Sequence, residues 1–253
     1  MALAKVMLRV NNVSKSFGPE GAATVALAGV DMMIHAGEFV TIVGASGCGK
    51  STLLNVFAGL DKPTDGTIEV NGKIALMFQE ATLLPWLTAR GNIELALKYD
   101  GVARKNREAR VADLLEIVRL GEWADKRPHE LSGGMRQRVA LARCLAQGAQ
   151  IVLMDEPLGA LDAMTRDHLH DEIETIVAEQ KLTVVFVTHN MREAVRLGDR
   201  VILMGSRPGR VVYEQSVPLT RPRAMDSNDI ATRAAELTNR LKAEQGILHG
   251  ADA

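Results

Sequence analysis

Apolar and polar residues change rhythm along this 253-residue chain. The early segments VMLRVNNVSKSF and ATVALAGVDMMIHAGE show β-branched alternation broken by glycine and asparagine, as in an antiparallel sheet region. EFVTIVG is then a short unbroken apolar run ending in glycine, and KSTLLNVFAGL after it has helical periodicity. That combination predicts a strand buried on both faces that turns into a helix. AQIVLMDEP, KLTVVFVTHN and RVILMG repeat the continuous apolar form, so a mostly parallel sheet is predicted. Between Gln79 and about Ala146 such runs stop, and GNIELALKYD, NREARVADLLEIVRL and SGGMRQRVALARCLA follow a helical period. The chain reads as an α/β core carrying an inserted helical subdomain at about 79–146.

Past Tyr213 the stretch SVPLTRPRAMDSND is punctuated by proline and reads as a linker. It leads into an amphipathic helix on which Ile230, Ala234, Leu237 and Leu241 share a face. The expected division is 1–215 for the core with its insertion and 216–253 for linker and helix. That helix is expected to pack on its own domain.

Composition narrows the partners. Apolar residues make up 47%, enough for a core, and 30 Lys and Arg nearly cancel 31 Asp and Glu. No overall field therefore points to nucleic acid or to an anionic membrane surface. The first residues lack the pattern of a signal peptide, and no apolar run reaches membrane-spanning length, so a cytosolic location is expected. Cys48 and Cys144 have neither disulfide-framework nor metal spacing.

Gly44-Ala45-Ser46-Gly47-Cys48-Gly49-Lys50-Ser51 matches G-x-x-x-x-G-K-[ST] between a predicted strand and a predicted helix. Glycines let backbone N–H groups curl around phosphate oxygens, and the helix N-terminus adds positive potential. Lys50 is placed to reach the β- and γ-phosphates, Ser51 to ligate Mg²⁺, and Thr52 to touch the α-phosphate. IVLMDEP ends a buried strand in Asp155 and Glu156, which suits a metal-associated carboxylate and a neighbouring general base. Such acids are also common as solvated turn residues. His189 ends VFVTHN and can bond a γ-phosphate or orient water, or be a satisfied core histidine. Gln79 ends another apolar run, where it can report on metal and water or simply form a turn.

A second anion-binding pattern needs a reason. Ser132, Gly133 and Gly134 precede a predicted helix, whose N–H groups and dipole favour an anion. Facing outward, they could meet the γ-phosphate held by Lys50 of a second copy, giving two composite sites in a dimer. Ser132 could equally be an ordinary helix cap.

With the phosphate loop, Gln79, LSGGMRQR, IVLMDEP, ALD at residues 160 to 162 and THN in this order, the chain resembles the nucleotide-binding subunit of ATP-binding cassette transporters over about residues 5–215. The resemblance implies a P-loop NTPase (RecA-like) core with an N-terminal antiparallel β region, and ATP and Mg²⁺ as ligands. It puts Phe17 under the adenine, Gln79 in the Q-loop, Ser132 to Gln137 in the signature, Asp162 in the D-loop across a head-to-tail dimer, and His189 as the switch histidine. The phosphate-loop residues Gly44, Ser46, Gly47, Cys48, Gly49, Lys50, Ser51 and Thr52 bind nucleotide. Ser51, Gln79 and, through water, Asp155 hold the metal, while Glu156 is the base.

The family's Q-loop region receives a coupling helix from an integral membrane permease, and Leu83, Leu84 and Trp86 lie just beyond Gln79. Exposed, they form an interaction patch; buried, Trp86 is only subdomain core. LLPWLT, PLGALDAMTRD and SRPGRV look like the importers of nitrate, sulfonates and taurine, whose permeases work with an extracytoplasmic solute-binding protein. The implied location is the cytoplasmic face of the cell membrane, with no nucleic acid partner. A soluble cassette ATPase acting on nucleic acid or ribosomes, and an exporter subunit, are the alternatives. Met135 and Asn190 depart from the common family pattern without removing a catalytic group, and Leu158, where a bulkier aromatic is common, is expected to alter packing at the dimer seam.

Overall fold

The computed structural model describes residues 5–19, 22–159 and 161–246. Ala160 of the ALD triplet, the first four residues and the end of the tail lie outside the described residues. In chain order the elements are β1 (Val6–Phe17), β2 (Thr24–His35), β3 (Phe39–Gly44), α1 (Lys50–Phe57), β4 (Asp65–Val70) and β5 (Ile74–Met77). Then come α2 (Ala89–Tyr99), α3 (Arg104–Ile117), short 3₁₀ turns at Gly121–Trp123 and Pro128–Glu130, α4 (Gly133–Ala146), β6 (Ile151–Asp155) and α5 (Ala163–Glu179). The chain closes with β7 (Thr183–Thr188), α6 (Met191–Leu197), β8 (Arg200–Gly205), β9 (Arg210–Ser216) and α7 (Asn228–Glu244). They form two compact units, one running to Asn71 and resuming at Thr183, the other spanning Gly72–Leu182.

In the first unit β1 lies between β2 and β4 in an antiparallel sheet. β3 lies between β7 and β8 and is parallel to both, and β9 adds antiparallel to β8. Every residue of β3 and of β7 is buried. The β-branched residues of FVTIVG and TVVFVT suit such a doubly covered strand, and Phe39 and Phe186 pack with ring centroids 6.0 Å apart.

The tail shares this core. Ile230, Ala234 and Leu237 of α7 are buried with Ala194, Val195, Val201 and Leu203, and Leu241 packs alongside. Burial of a side chain such as Ile230 or Leu237 contributes about 2 kcal/mol. The linker is held by Arg223, itself buried, which donates to the carbonyls of Val195 at 2.9 Å, Arg196 at 3.0 Å and Gly198 at 2.6 Å. A guanidinium thus satisfies carbonyls at the C-terminal end of α6, where a positive charge is favoured.

In the second unit β5 and β6 pair in parallel, with Met77 opposite Met154. The helices begin at Ala89, ten residues after Gln79, where Thr88 caps α2 by accepting from Gly91 N–H at 3.1 Å. The sequence stretch 79–88 therefore lacks helix, because Thr88 supplies a start signal that the periodicity alone did not mark. Its path is held instead by buried Asn92, whose amide accepts from Leu84 N–H at 2.9 Å and donates to the Thr88 carbonyl at 3.0 Å. α4 buries Val139, Ala140, Leu141, Ala142, Cys144 and Leu145, a run wide enough to be the central helix of its unit.

Candidate functional site

The phosphate loop begins where β3 ends at Gly44 and closes where α1 starts at Lys50. Gly49 has φ +96°, and a Cβ there would lie 2.8 Å from Leu27 Cδ2 and 2.9 Å from the Ala26 carbonyl oxygen. A Cβ at Gly44 would lie 2.6 Å from the Met204 carbonyl oxygen. Only glycine meets both conditions, so the loop curls tightly with its N–H groups available to an anion. Lys50 is buried, and its Nζ donates to the carbonyls of Gly44 at 2.9 Å and Ala45 at 3.0 Å. The ammonium is thereby folded back over the loop. Ser46, Gly47 and Ser51 are exposed and Thr52 is half-buried. Curled amides, a helix N-terminus and an ammonium over the loop fit a polyphosphate.

Cys48 is buried, and its sulfur would be only 2.7 Å from a Cβ placed on Gly44. Burial pushes its thiol pKa up, with Lys50 pulling the other way. The side chain fills space beneath the loop.

His189 follows β7 and is exposed. Because Val43 pairs with Thr188, His189 and the phosphate loop leave neighbouring parallel strands at the same edge of the sheet. Asn190 caps α6 by accepting from the N–H groups of Arg192 at 3.0 Å and Glu193 at 3.3 Å. Its own N–H donates to Thr188 Oγ1 at 3.0 Å, and that hydroxyl donates to the Glu193 carboxylate. An amide here keeps the capping function of an aspartate. Phe17, at the end of β1, is half exposed, with Lys15 Nζ 4.8 Å from its ring centroid.

The second unit carries the other candidates. The register of β5 on β6 brings Gln79 and the Asp155-Glu156 pair to the same edge of that strand pair. Glu156 has φ +45°, a left-handed conformation that costs a non-glycine residue about 1 kcal/mol, and Gly159 N–H donates to its carbonyl at 3.0 Å. A Cβ on Gly159 would be 3.2 Å from Gln79 Nε2, so the turn after Glu156 touches the Gln79 side chain.

Ser132 caps α4, accepting from Met135 N–H at 3.2 Å. A Cβ on Gly133 would lie 2.6 Å from Leu161 Cδ2, and one on Gly134 3.1 Å from Thr165 Cγ2. The paired glycines thus admit the chain around Asp162, which caps α5 through Thr165 N–H at 3.0 Å and Thr165 Oγ1 at 2.7 Å. These bonds hold the Asp162 carboxyl below its ordinary pKa. Leu158 is buried and so is packing rather than surface.

Gln137 is expected from the resemblance as a nucleotide contact within the signature. It is buried, and its Nε2 donates to the Gln79 carbonyl oxygen at 2.7 Å. Gly133 and Gln137 are four positions apart and share one side of α4, Gly133 partly exposed at the helix start and Gln137 buried one turn further along.

Gly209 is a site residue that motif reading passed over. A Cβ there would fall 2.2 Å from the Cys48 carbonyl oxygen and 2.8 Å from that of Ala26, while its N–H donates to Ala26 at 3.0 Å. The SRPGRV phrase was its sequence signal, without any hint that it underlies the phosphate loop. Among the described residues no group of three or more His, Cys, Asp or Glu could hold a metal ion. Mg²⁺ bound through phosphate oxygens, a hydroxyl and waters requires no such group.

A glycine-built phosphate loop after a buried parallel strand, with acids at the end of another, defines a P-loop NTPase. The family model described as ABC transporter matches residues 27–159, and the chain belongs to that family. An uncharacterised ABC transporter ATP-binding protein of Methanocaldococcus jannaschii is 41% identical over 248 residues, covering 95% of this chain and 93% of the relative. A taurine import ATP-binding protein of Jannaschia is 42% identical, covering 83% and 82%. An aliphatic sulfonates import ATP-binding protein of Mesorhizobium japonicum is 43% identical, covering 90% and 86%. Among solved structures, a dimeric ATP-binding cassette bound to ADP and Pi is similar with a TM-score of 0.73 and 35% identity, covering 85% of this chain and 100% of the other. Among the described residues no helix is long and apolar enough to cross a membrane.

Proposed function

We propose that this chain is the ATP-hydrolysing subunit of an importer for a small solute such as a sulfonate, taurine, nitrate or a related compound. The observation that carries this reading is the match to import ATP-binding proteins at 42% and 43% identity over more than four-fifths of the chain. The near balance of 30 basic and 31 acidic residues argues against a nucleic acid partner. The named relatives favour import over export.

In this reading the phosphate-loop amides and Lys50 bind the phosphates, Phe17 stacks on the adenine, and Ser51, Gln79 and, through water, Asp155 would hold Mg²⁺. When bound, the metal would supply positive charge to offset the negative charge of the phosphates. Glu156 accepts a proton from water as its oxygen attacks the γ-phosphorus, and His189 orients the reacting groups. The bond to the bridging oxygen breaks, leaving ADP and phosphate. Ser132, Gly133 and Gly134 of a second copy complete each site, so two copies close head to tail around two nucleotides. Trp86, with Leu83 and Leu84, meets a membrane permease at the cytoplasmic face, and the permease takes solute from an extracytoplasmic binding protein.

Glu156→Gln should give a stable ATP-loaded dimer with turnover reduced about a thousandfold. Wild-type turnover in that variant rejects the assigned base. Purification from gently solubilised membranes should bring down a multi-span permease. Recovery with ribosomes instead rejects the transport reading.

A further inference from the structure

The second unit contains a bond that the reaction as described does not use. Gln137 Nε2 donates to the main-chain carbonyl of Gln79 at 2.7 Å, across 58 positions of sequence. Gln137 is 5% exposed, and its other polar side-chain atom, Oε1, is buried without a hydrogen-bond partner. Burying an unpaired amide oxygen costs about 1 to 3 kcal/mol, which makes the side chain a poor choice for packing alone. Beside the bond lies a cavity of about 400 Å³ lined by Gln79, Glu80, Pro128, Gly133, Arg136 and Leu161. Gln79 thus has open space next to it and one side-chain tether from α4.

The tether joins segments with different duties. Gln79 follows β5 at the same edge as Glu156 and, in the proposed function, serves the nucleotide bound by its own chain. Ser132, Gly133 and Gly134 begin α4, one turn before Gln137, and in the proposed dimer serve the nucleotide of the other chain. A rigid helix turn fixes Gln137 to that glycine pair. α4 also holds the segment after Gln79 through Arg143, which donates to the Thr82 carbonyl at 2.8 Å, but the bond from Gln137 is the one that reaches Gln79 itself, one turn from the signature glycines, so movement at that end of α4 bears directly on the Gln79 backbone.

We propose that Gln137 is a positioning residue that couples the two ATP sites of the dimer, setting Gln79 in one site according to whether the signature segment of the same chain is engaged in the other. This inference rests on the proposed dimeric ATPase. It requires cooperative turnover, with a Hill coefficient approaching about 2 for two sites, as the wild-type signature.

The test is Gln137→Glu, which keeps the shape, removes the donor and sets a carboxylate against the Gln79 carbonyl. Gln137→Met, an uncharged replacement of similar length, serves if the glutamate variant does not fold. Steady-state ATPase is measured against ATP and against Mg²⁺, alone and combined with Gln79→Ala. The expected result is a Hill coefficient near 1 and an apparent KM for Mg²⁺ raised about tenfold, the equivalent of one lost hydrogen bond. The combined variant should be no worse than Gln79→Ala by itself, because both act through one element. Retained cooperativity, or losses that multiply in the combined variant, overturns the coupling role and leaves the ATPase intact. A wild-type chain that neither dimerises with ATP nor hydrolyses it overturns the underlying function and this inference together.

Discussion

Lys50 Nζ donates to the Gly44 carbonyl at 2.9 Å, so the ammonium caps the loop from which it emerges. The charge is buried, and the loop carbonyls are its partners. Lys50→Ala should lower the ATPase rate at least a hundredfold, as loss of a preorganised charge at developing negative charge does. Steady-state ATPase with a melting curve separates this from unfolding. A rate within tenfold of wild type refutes the role.

Gly209 lies directly against the Cys48 carbonyl. Gly209→Ala should push the phosphate loop from its conformation and raise the KM for ATP about tenfold or more, a displacement cost of at least 1.4 kcal/mol. Titration of a fluorescent nucleotide checks it. Unchanged affinity in a folded variant shows that the loop tolerates the shift.

Trp86 is 67% exposed. Asn92 holds the loop through the backbone at Leu84 and Thr88, so the indole is not needed for the loop's path. Trp86→Ala should leave the melting temperature and basal ATPase near wild type while abolishing solute uptake in cells. Normal uptake removes the indole from the permease contact.

Cys144 is fully buried, and desolvation pushes its thiol up to about 12. Since the native state keeps the proton while the unfolded thiol ionises near 9.0, this contribution is complete below pH 9.0 and is lost as pH rises from there toward 12. The loss should reach about 1 kcal/mol by pH 10. Comparing denaturation midpoints of wild type and Cys144→Ala at pH 8 and pH 10 reads it, with the wild type falling further. Parallel declines exclude the linkage. Cys48, also buried and raised, should likewise resist alkylation at neutral pH.

Much of the scaffold was legible because local chemistry dictates it. FVTIVG and TVVFVT have no polar face to give to water, so they become interior parallel strands wherever the chain carries them. The glycines at 44, 47 and 49 likewise announce a tight loop, and the strand-to-helix change around them states where it sits. The first turn of α4 was readable as a capped helix start from Ser132 and its glycines, since capping depends on residues three apart.

What the sequence could not supply depends on approaches between distant segments. Gln137 reads as one more signature residue until the packing of α4 sets it against a carbonyl 58 positions away. Gly209 reads as hairpin punctuation until the Cys48 carbonyl is found where its side chain would be. Neither relation has a local energetic signature, because the cost of violating it falls on a partner the one-dimensional pattern does not identify. By itself the sequence determined the buried strands, the phosphate loop and the helix starts, through propensity, period and spacing. Tertiary structure decided which backbone each of these elements touches, because that follows from how the strands and helices pack.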